Sequence, residues 1–160
     1  MDGTDFIENN REVVLAAVDL DGWSLKWASD SLKNDREVVL AAVNQNDREA
    51  ILAAMNNCGC SLQWVSDSLK NDRDVVLAAV HADGDALKWA SDSLKNDRDV
   101  VLAATKQNGN ALKWASEYLK NDREVVLAIV NKLGSALEWT SDSLKNDTGV
   151  VLAAVNQVGW

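Results

Sequence analysis

The chain has 160 residues, 26% charged and 47% hydrophobic, with 25 acidic against 16 basic side chains and a formal net charge of -9. That balance places it among globular rather than disordered chains and argues against attraction to phosphate backbones, so nucleic acid is not an expected partner. Apolar runs of about six residues are too short for a membrane span, no charged-then-apolar secretion signal opens the chain, and a single histidine leaves little material for catalytic or metal chemistry.

Internal repetition dominates the sequence. The word LKNDR begins at Leu32, Leu69, Leu94 and Leu119, and LKNDT begins at Leu144, giving steps of 37, 25, 25 and 25 residues. VVLAA begins at Val13, Val38, Val75, Val100 and Val150, with the variants AILAA from Ala50 and VVLAI from Val125. LKWAS begins at Leu25, Leu87 and Leu112, with LQWVS from Leu62 and LEWTS from Leu137. The unit is 25 residues with one irregular step.

In chain order, Phe6 and Ile7 precede the first helix and are placed to cover it. Each unit then carries two helix signals. The first, A, is predicted over about Asp97 to Gln107 in the fifth unit, with Asn96 as N-cap and Asp99 completing a capping box. The pairs Asn34–Glu37, Asn71–Asp74 and Asn121–Glu124 repeat this arrangement, and Gly109 is expected to stop the helix in the left-handed region. The second helix, B, is predicted over about Ala111 to Lys120, closing on a lysine that suits the helix dipole. Strand is the rival reading of the valine runs, outweighed by caps, alanines and helical spacing. A helices start near Asn10 and Asp35, B helices at Ser24 and Ser61, an odd A-type helix (DREAILAAMNN) at Asp47, and A and B then alternate to a last A from Asp147.

The expected fold is all-α: a right- or left-handed α-solenoid of about twelve short antiparallel helices in one domain over 1–160, with repeat starts near 9, 34, 71, 96, 121 and 146 and an irregular half-repeat over 46–58. At 100° per residue, Val100, Val101, Leu102, Ala103 and Ala104 surround most of helix A, which predicts a buried inner row. In helix B, Ala86, Leu87, Ala90 and Leu94 share one arc while Asp85, Lys88, Asp92 and Lys95 lie opposite, which predicts an amphipathic outer row with Trp89 at its edge. An odd helix in an antiparallel array inverts everything after it, so A helices after residue 71 are expected to oppose those before residue 46. Thr148 and Gly149 replace the usual arginine and acid, predicting a weaker last cap. Gly159–Trp160 falls where Gly22–Trp23 opened a B helix, so the apolar edge of the last A helix is expected to meet Trp160, a partner or another copy.

The run LKNDREVVLAAVNQN from Leu32, with NGNALKWASEYLK from Asn108, resembles the short helical repeats known as domain of unknown function 4116, over nearly the whole chain from Asn9 to Trp160. The resemblance implies an α-helical solenoid with a contact role and names no activity. The 37-residue step departs from the regular pattern.

Several residue sets carry candidate chemistry. The arginines Arg11, Arg36, Arg48, Arg73, Arg98 and Arg123 sit among acids, which favours structural ion pairing over anion binding. Trp27, Trp64, Trp89, Trp114 and Trp139 form a tryptophan ladder, read as inter-repeat packing or as a recognition surface, while Trp23 and Trp160 lie outside its register as exposed anchors. Cys58-Gly59-Cys60 offers too few ligands for structural zinc and too close a spacing for an unstrained disulfide, so free thiols and a reducing compartment are favoured. Asp19-Leu20-Asp21-Gly22 and Asp83-Gly84-Asp85 fail as calcium loops because alanines fall at the end positions. Ser29, Ser66, Ser91, Ser116 and Ser141 recur without a recurring histidine, and no phosphate-cradling glycine loop is present.

The expected role is a non-enzymatic protein–protein interaction module, a scaffold or accessory linker subunit, needing no cofactor or metal. Its partner is a protein or larger assembly, without nucleic acid and without direct membrane insertion. The candidate contact residues are Trp23, Trp27, Trp64, Trp89, Trp114, Trp139, Val158 and Trp160, with self-association through the open C-terminal edge as a further expectation. The alternative is a small-molecule or metal-binding protein using the irregular 47–60 segment.

Overall fold

The computed structural model describes residues 9–49 and 59–157. In chain order its elements are α1 (Arg11–Leu20), η1 (Gly22–Trp27), α2 (Asp30–Lys33), α3 (Arg36–Glu49), η2 (Gly59–Trp64), α4 (Asp67–Lys70), α5 (Arg73–Ala82), η3 (Gly84–Trp89), α6 (Asp92–Lys95), α7 (Arg98–Gln107), η4 (Gly109–Trp114), α8 (Glu117–Lys120), α9 (Arg123–Val130), η5 (Gly134–Trp139), α10 (Asp142–Lys145) and α11 (Thr148–Gln157), where η denotes a 3-10 helix. Among the described residues there is no strand. The expected A helices are α1, α3, α5, α7, α9 and α11, but there are more and shorter helices than the twelve expected, because each B helix is broken in two.

The break has a local cause. Ala115 and Ser116 are extended, with φ/ψ of -66°/161° and -61°/152°. Ser116 then caps α8, its Oγ accepting from the Leu119 amide at 3.2 Å. Its own amide turns outward and donates to the Lys95 carbonyl of the preceding repeat at 2.9 Å. The same outward bond joins Ser91 to Lys70 and Ser141 to Lys120. A continuous helix would direct that amide within its own turn, so the kink is what lets the backbone of one repeat bond to the next.

The A helices begin one residue later than expected. Asp97, not Asn96, is the N-cap of α7: its Oδ1 accepts from the amides of Asp99 and Val100 at 2.9 and 3.1 Å. Asp97 is the extended residue at this junction (φ -84°, ψ 118°), while Asn96 ends α6. Asp35, Asp72 and Asp122 cap in the same way, and Asn10 does so in the first repeat. The last cap survives as well, with the Val150 amide donating to Asp147 at 2.9 Å.

The left-handed stop expected at Gly109 is absent. Asn108 leaves α7 extended (φ -143°, ψ 107°), and its side chain caps η4. Glycine stands at these positions because of close approach. A Cβ on Gly84 would lie 2.4 Å from the Ala104 carbonyl oxygen, and one on Gly109 would lie 2.9 Å from Leu133 Cδ1.

Successive A helices pack side by side in one row and successive 3-10 helices in a second, with a continuous core between them from Val14 to Ala154. Leu25, Leu62, Leu87 and Leu112 from the 3-10 row meet the paired valines of the A row there, all fully buried. The A row is therefore not buried all round as expected. With only two layers, Leu102 and Ala103 stay partly open, and Leu152 is 56% exposed.

The expected inversion after the irregular step does not occur. Arg36 at the start of α3 binds Asp72 and Asp74 at the start of α5, as Arg73 binds Asp97 and Asp99 at the start of α7. N-terminus lies beside N-terminus in both cases, so the A helices on either side of the step are parallel. The extra residues enter after the part of α3 that packs on α5, where α3 runs on to Glu49. Residues 50–58, which include most of the odd helix and Cys58, lie outside the described residues, as do Phe6 and Ile7.

The glycine contacts give a discriminating pair. Gly84→Ala must displace backbone and is expected to lower unfolding stability by about 1–3 kcal/mol. Gly149→Ala meets no backbone, only side-chain atoms of Arg123 and Asp147, and is expected to cost less than Gly84→Ala, with helix propensity offsetting the shift of that ion pair. Urea unfolding of both variants checks this; equal effects of the two would show that backbone proximity at Gly84 is not the constraint.

Candidate functional site

Three ladders of polar contacts run along the array, and together they absorb most of the repeated letters. The first joins the A-helix N-termini. Arg11 binds Asp35 at 2.8 Å and also Glu37; Arg36, Arg73 and Arg123 make the equivalent bonds to Asp72, Asp97 and Asp147 at 3.0–3.1 Å. Each of these aspartates caps its own helix with one oxygen and takes the previous repeat's arginine with the other. The Arg11 guanidinium, aided by the Val38 amide, holds the Asp35 carboxyl below its ordinary range, and Arg123 with the Val150 amide does the same for Asp147. Arg11, Arg36, Arg73 and Arg123 are thus in structural ion pairs, as the sequence favoured, while the Arg48 side chain lies outside what the structure describes.

The second ladder uses the recurring serines. Asn34 Oδ1 accepts from Ser66 and Ser68 at 2.6 and 3.0 Å, Asn71 from Ser91 and Ser93 at 2.7 and 2.5 Å, and Asn121 from Ser141 and Ser143 at 2.7 and 2.6 Å. Asn96 accepts from Ser116 alone, because Tyr118 stands in the second serine's place and is 72% exposed. The asparagines expected as N-caps serve here instead.

The third ladder contains the tryptophans. Lys88 Nζ lies 4.7 Å from the Trp89 ring centre and 5.2 Å from that of Trp114, and Lys113 lies 4.9 Å from Trp114 and 6.0 Å from Trp139. Each lysine thus bridges its own tryptophan to the next repeat's, a contact worth roughly 0.5–1 kcal/mol at exposed sites. The indole N–H groups point back along the array: Trp114 donates to Asp85 at 2.9 Å and Trp139 to Asn110 at 3.1 Å. Trp89, Trp114 and Trp139 are half-buried, each packed on the neighbouring repeat with part of its ring open.

The first repeat departs from this pattern. Lys26 has three tryptophan rings around it, Trp27 at 4.9, Trp64 at 5.4 and Trp23 at 5.8 Å. Trp23 occupies the position that holds Asp85 and Asn110 in later repeats and offers no acceptor. Trp64 Nε1 is accordingly buried without a hydrogen-bond partner among the described residues. Trp23 is 40% exposed and Trp27 66%. Sequence reasoning marked Trp23 as out of register but missed what its register position does for Trp64; the spacing of Trp114 from Asp85 carries that signal only once the fold is known.

Asp21 and Asp83 cap 3-10 helices, accepting from the amides of Trp23 and Asp85 at 3.0 and 2.9 Å. Among the described residues no cluster of three or more histidine, cysteine or acidic side chains is placed to hold a metal, and no helix is long and apolar enough to cross a membrane. Val158 and Trp160 lie outside the described residues.

The fold and its ladders define a stacked helical-repeat protein. The family model Domain of unknown function (DUF4116) matches residues 10–46, 47–90, 73–120 and 122–160, so the chain belongs to that family, as its repeat motif implied. Comparison with curated proteins and with solved structures gave no match.

Two predictions follow the ladders. Because the folded carboxyls of Asp35 and Asp147 hold protons less tightly than the unfolded chain's, their contribution is present above the unfolded value near 3.8 and lost as pH falls through the folded value. Stability should therefore drop steeply below about pH 4, and Asp147→Asn should make that drop shallower in acid titrations followed by circular dichroism. At the irregular rung, Trp23→Asn should give Trp64 an acceptor and raise unfolding stability by about 1 kcal/mol. Trp23→Ala supplies no acceptor; if it stabilises equally, the buried indole is not the cause.

Proposed function

We propose that the protein is a non-enzymatic interaction module, a scaffold or accessory subunit whose protein partner docks on Trp23 and Trp27. The observation that carries this reading is the first rung of the tryptophan ladder. A chain that gives the indoles of Trp114 and Trp139 acceptors places a tryptophan where Trp64 needs one, and exposes both that residue and its neighbour. Such a local stability cost, of about 1–3 kcal/mol for a buried unpaired donor, is the mark of a residue kept for another purpose. Exposed tryptophans are the residue type most enriched among interface hot spots.

The non-enzymatic reading is supported by how the repeated polar side chains are used. The serines cap turns and bind asparagines, the arginines clasp caps, and the lysines lie on rings. Self-association through the C-terminal edge and ligand binding by the 47–60 segment rest chiefly on residues outside the described ones.

Affinity capture from the native source, read by mass spectrometry, tests the proposal with three baits: the wild type, Trp23→Asn/Trp27→Ser, and Tyr118→Ser as an exposed-aromatic control. A protein held by the wild type and the Tyr118 variant, and lost from the double variant at unchanged or raised thermal stability, is the expected result. Identical recoveries from all three baits, or recovery of the bait only as a free monomer, would end the reading, and loss from the Tyr118 variant alone would move the site.

A further inference from the structure

Successive A helices touch one another least between α7 and α9, and three departures from the repeat pattern meet at that junction. Helix α9 stops at Val130 after 8 residues, and Asn131 and Lys132 turn out of it. Leu133 stands where Asp21, Asp83 and Asn108 cap the following 3-10 helix, and it makes no cap. Arg98 reaches only Glu124, at 3.4 Å, whereas Arg11, Arg36 and Arg73 each hold two acids of the next repeat.

The helices part over a groove of about 540 Å³, within the range of small-molecule sites. Leu102, Ala103, Ile129 and Leu133 give it an apolar lining, and Lys106, Lys132 and His81 also border it. The positions equivalent to Lys106 hold Asp19, Asn44, His81, Asn131 and Asn156 in the other repeats, and those equivalent to Lys132 hold Leu20, Gln45, Ala82, Gln107 and Gln157. In a chain of net charge -9, two lysines thus border this groove. Among the described residues the lysines in ion pairs are Lys70, Lys95, Lys113, Lys120 and Lys145, and neither of these two is among them.

We propose that this groove binds a small amphiphilic anion, an alkyl carboxylate, with its chain on Leu102, Ile129 and Leu133 and its carboxylate between Lys106 and Lys132. Both lysines are exposed and can reach a carboxylate at the mouth of the groove, which favours an anion over an uncharged alkyl ligand, and a small inorganic anion would leave the apolar lining wet. The site is separate from Trp23 and Trp27 and does not depend on the docking reading.

Decanoate is the probe, with decanol as its uncharged counterpart, and calorimetry or chemical-shift titration of the full chain is the readout. Saturable one-site binding of decanoate is expected, about threefold to fivefold tighter than decanol, since an exposed ion pair supplies up to about that factor. Lys106→Gln/Lys132→Gln should weaken decanoate about threefold to fivefold with little change for decanol. Ala128→Trp, on an exposed residue bordering the groove, should abolish both, while Trp23→Asn/Trp27→Ser leaves both intact. Equal binding of decanoate and decanol, undiminished binding to the lysine variant, or no saturation would each overturn the proposal. So would binding of an acidic amphipathic peptide through the same lysines in place of decanoate, which would make the groove a peptide site.

Discussion

A ten-residue helix joined to a six-residue 3-10 helix and a single α-turn lies below the length at which isolated helix persists in water. What holds each unit is the contact with its neighbours, as in other one-dimensional repeat arrays. The apolar part of that contact is the core between the rows, where paired valines meet one leucine per repeat. The polar part fixes register. Asp97 shows how the two are coupled, since one carboxylate sets where its own helix begins and receives the arginine of the repeat before. Moving one repeat along the row would break the helix cap's second bond, the serine–asparagine bond and the lysine–tryptophan contact together.

A uniform array of this kind has no special place, so specificity must arise where the pattern is broken. Trp23 removes an acceptor and exposes an aromatic pair at the first rung. Leu133 removes a cap, and it lines a groove beside α7 and the shortened α9. The irregular step after α3 is different in kind: it adds chain at the far end of a helix whose N-terminal contacts are untouched, so the stack continues through it in the same register. An insertion at Asp35 or Asn34 would have met two ladders at once.

The two departures differ in kind: one removes a hydrogen-bond acceptor from the tryptophan ladder, the other a cap from a 3-10 helix. Loss of a hydrogen-bond acceptor leaves a buried donor and a surface tryptophan, which suits a dry protein contact. The uncapped Leu133 and the shortened α9 border a groove on the open side of the A row, which suits a small ligand. Both devices leave the core leucines Leu62, Leu87 and Leu112 fully buried, so neither disturbs the stack that presents them.

Much was legible in the residues themselves. The 25-residue period, the helical class, the burial of the valine pairs and the pairing of arginines with acids follow from repetition, spacing and charge, all of which are local. The break in each B helix, the caps at Asp rather than Asn, the open side of the A row and the parallel run of A helices across the irregular step were decided only in the tertiary structure. In each of those cases a backbone amide, a side-chain oxygen or a glycine's empty space is used by the neighbouring repeat, and helical periodicity within one repeat says nothing about where the next one lies.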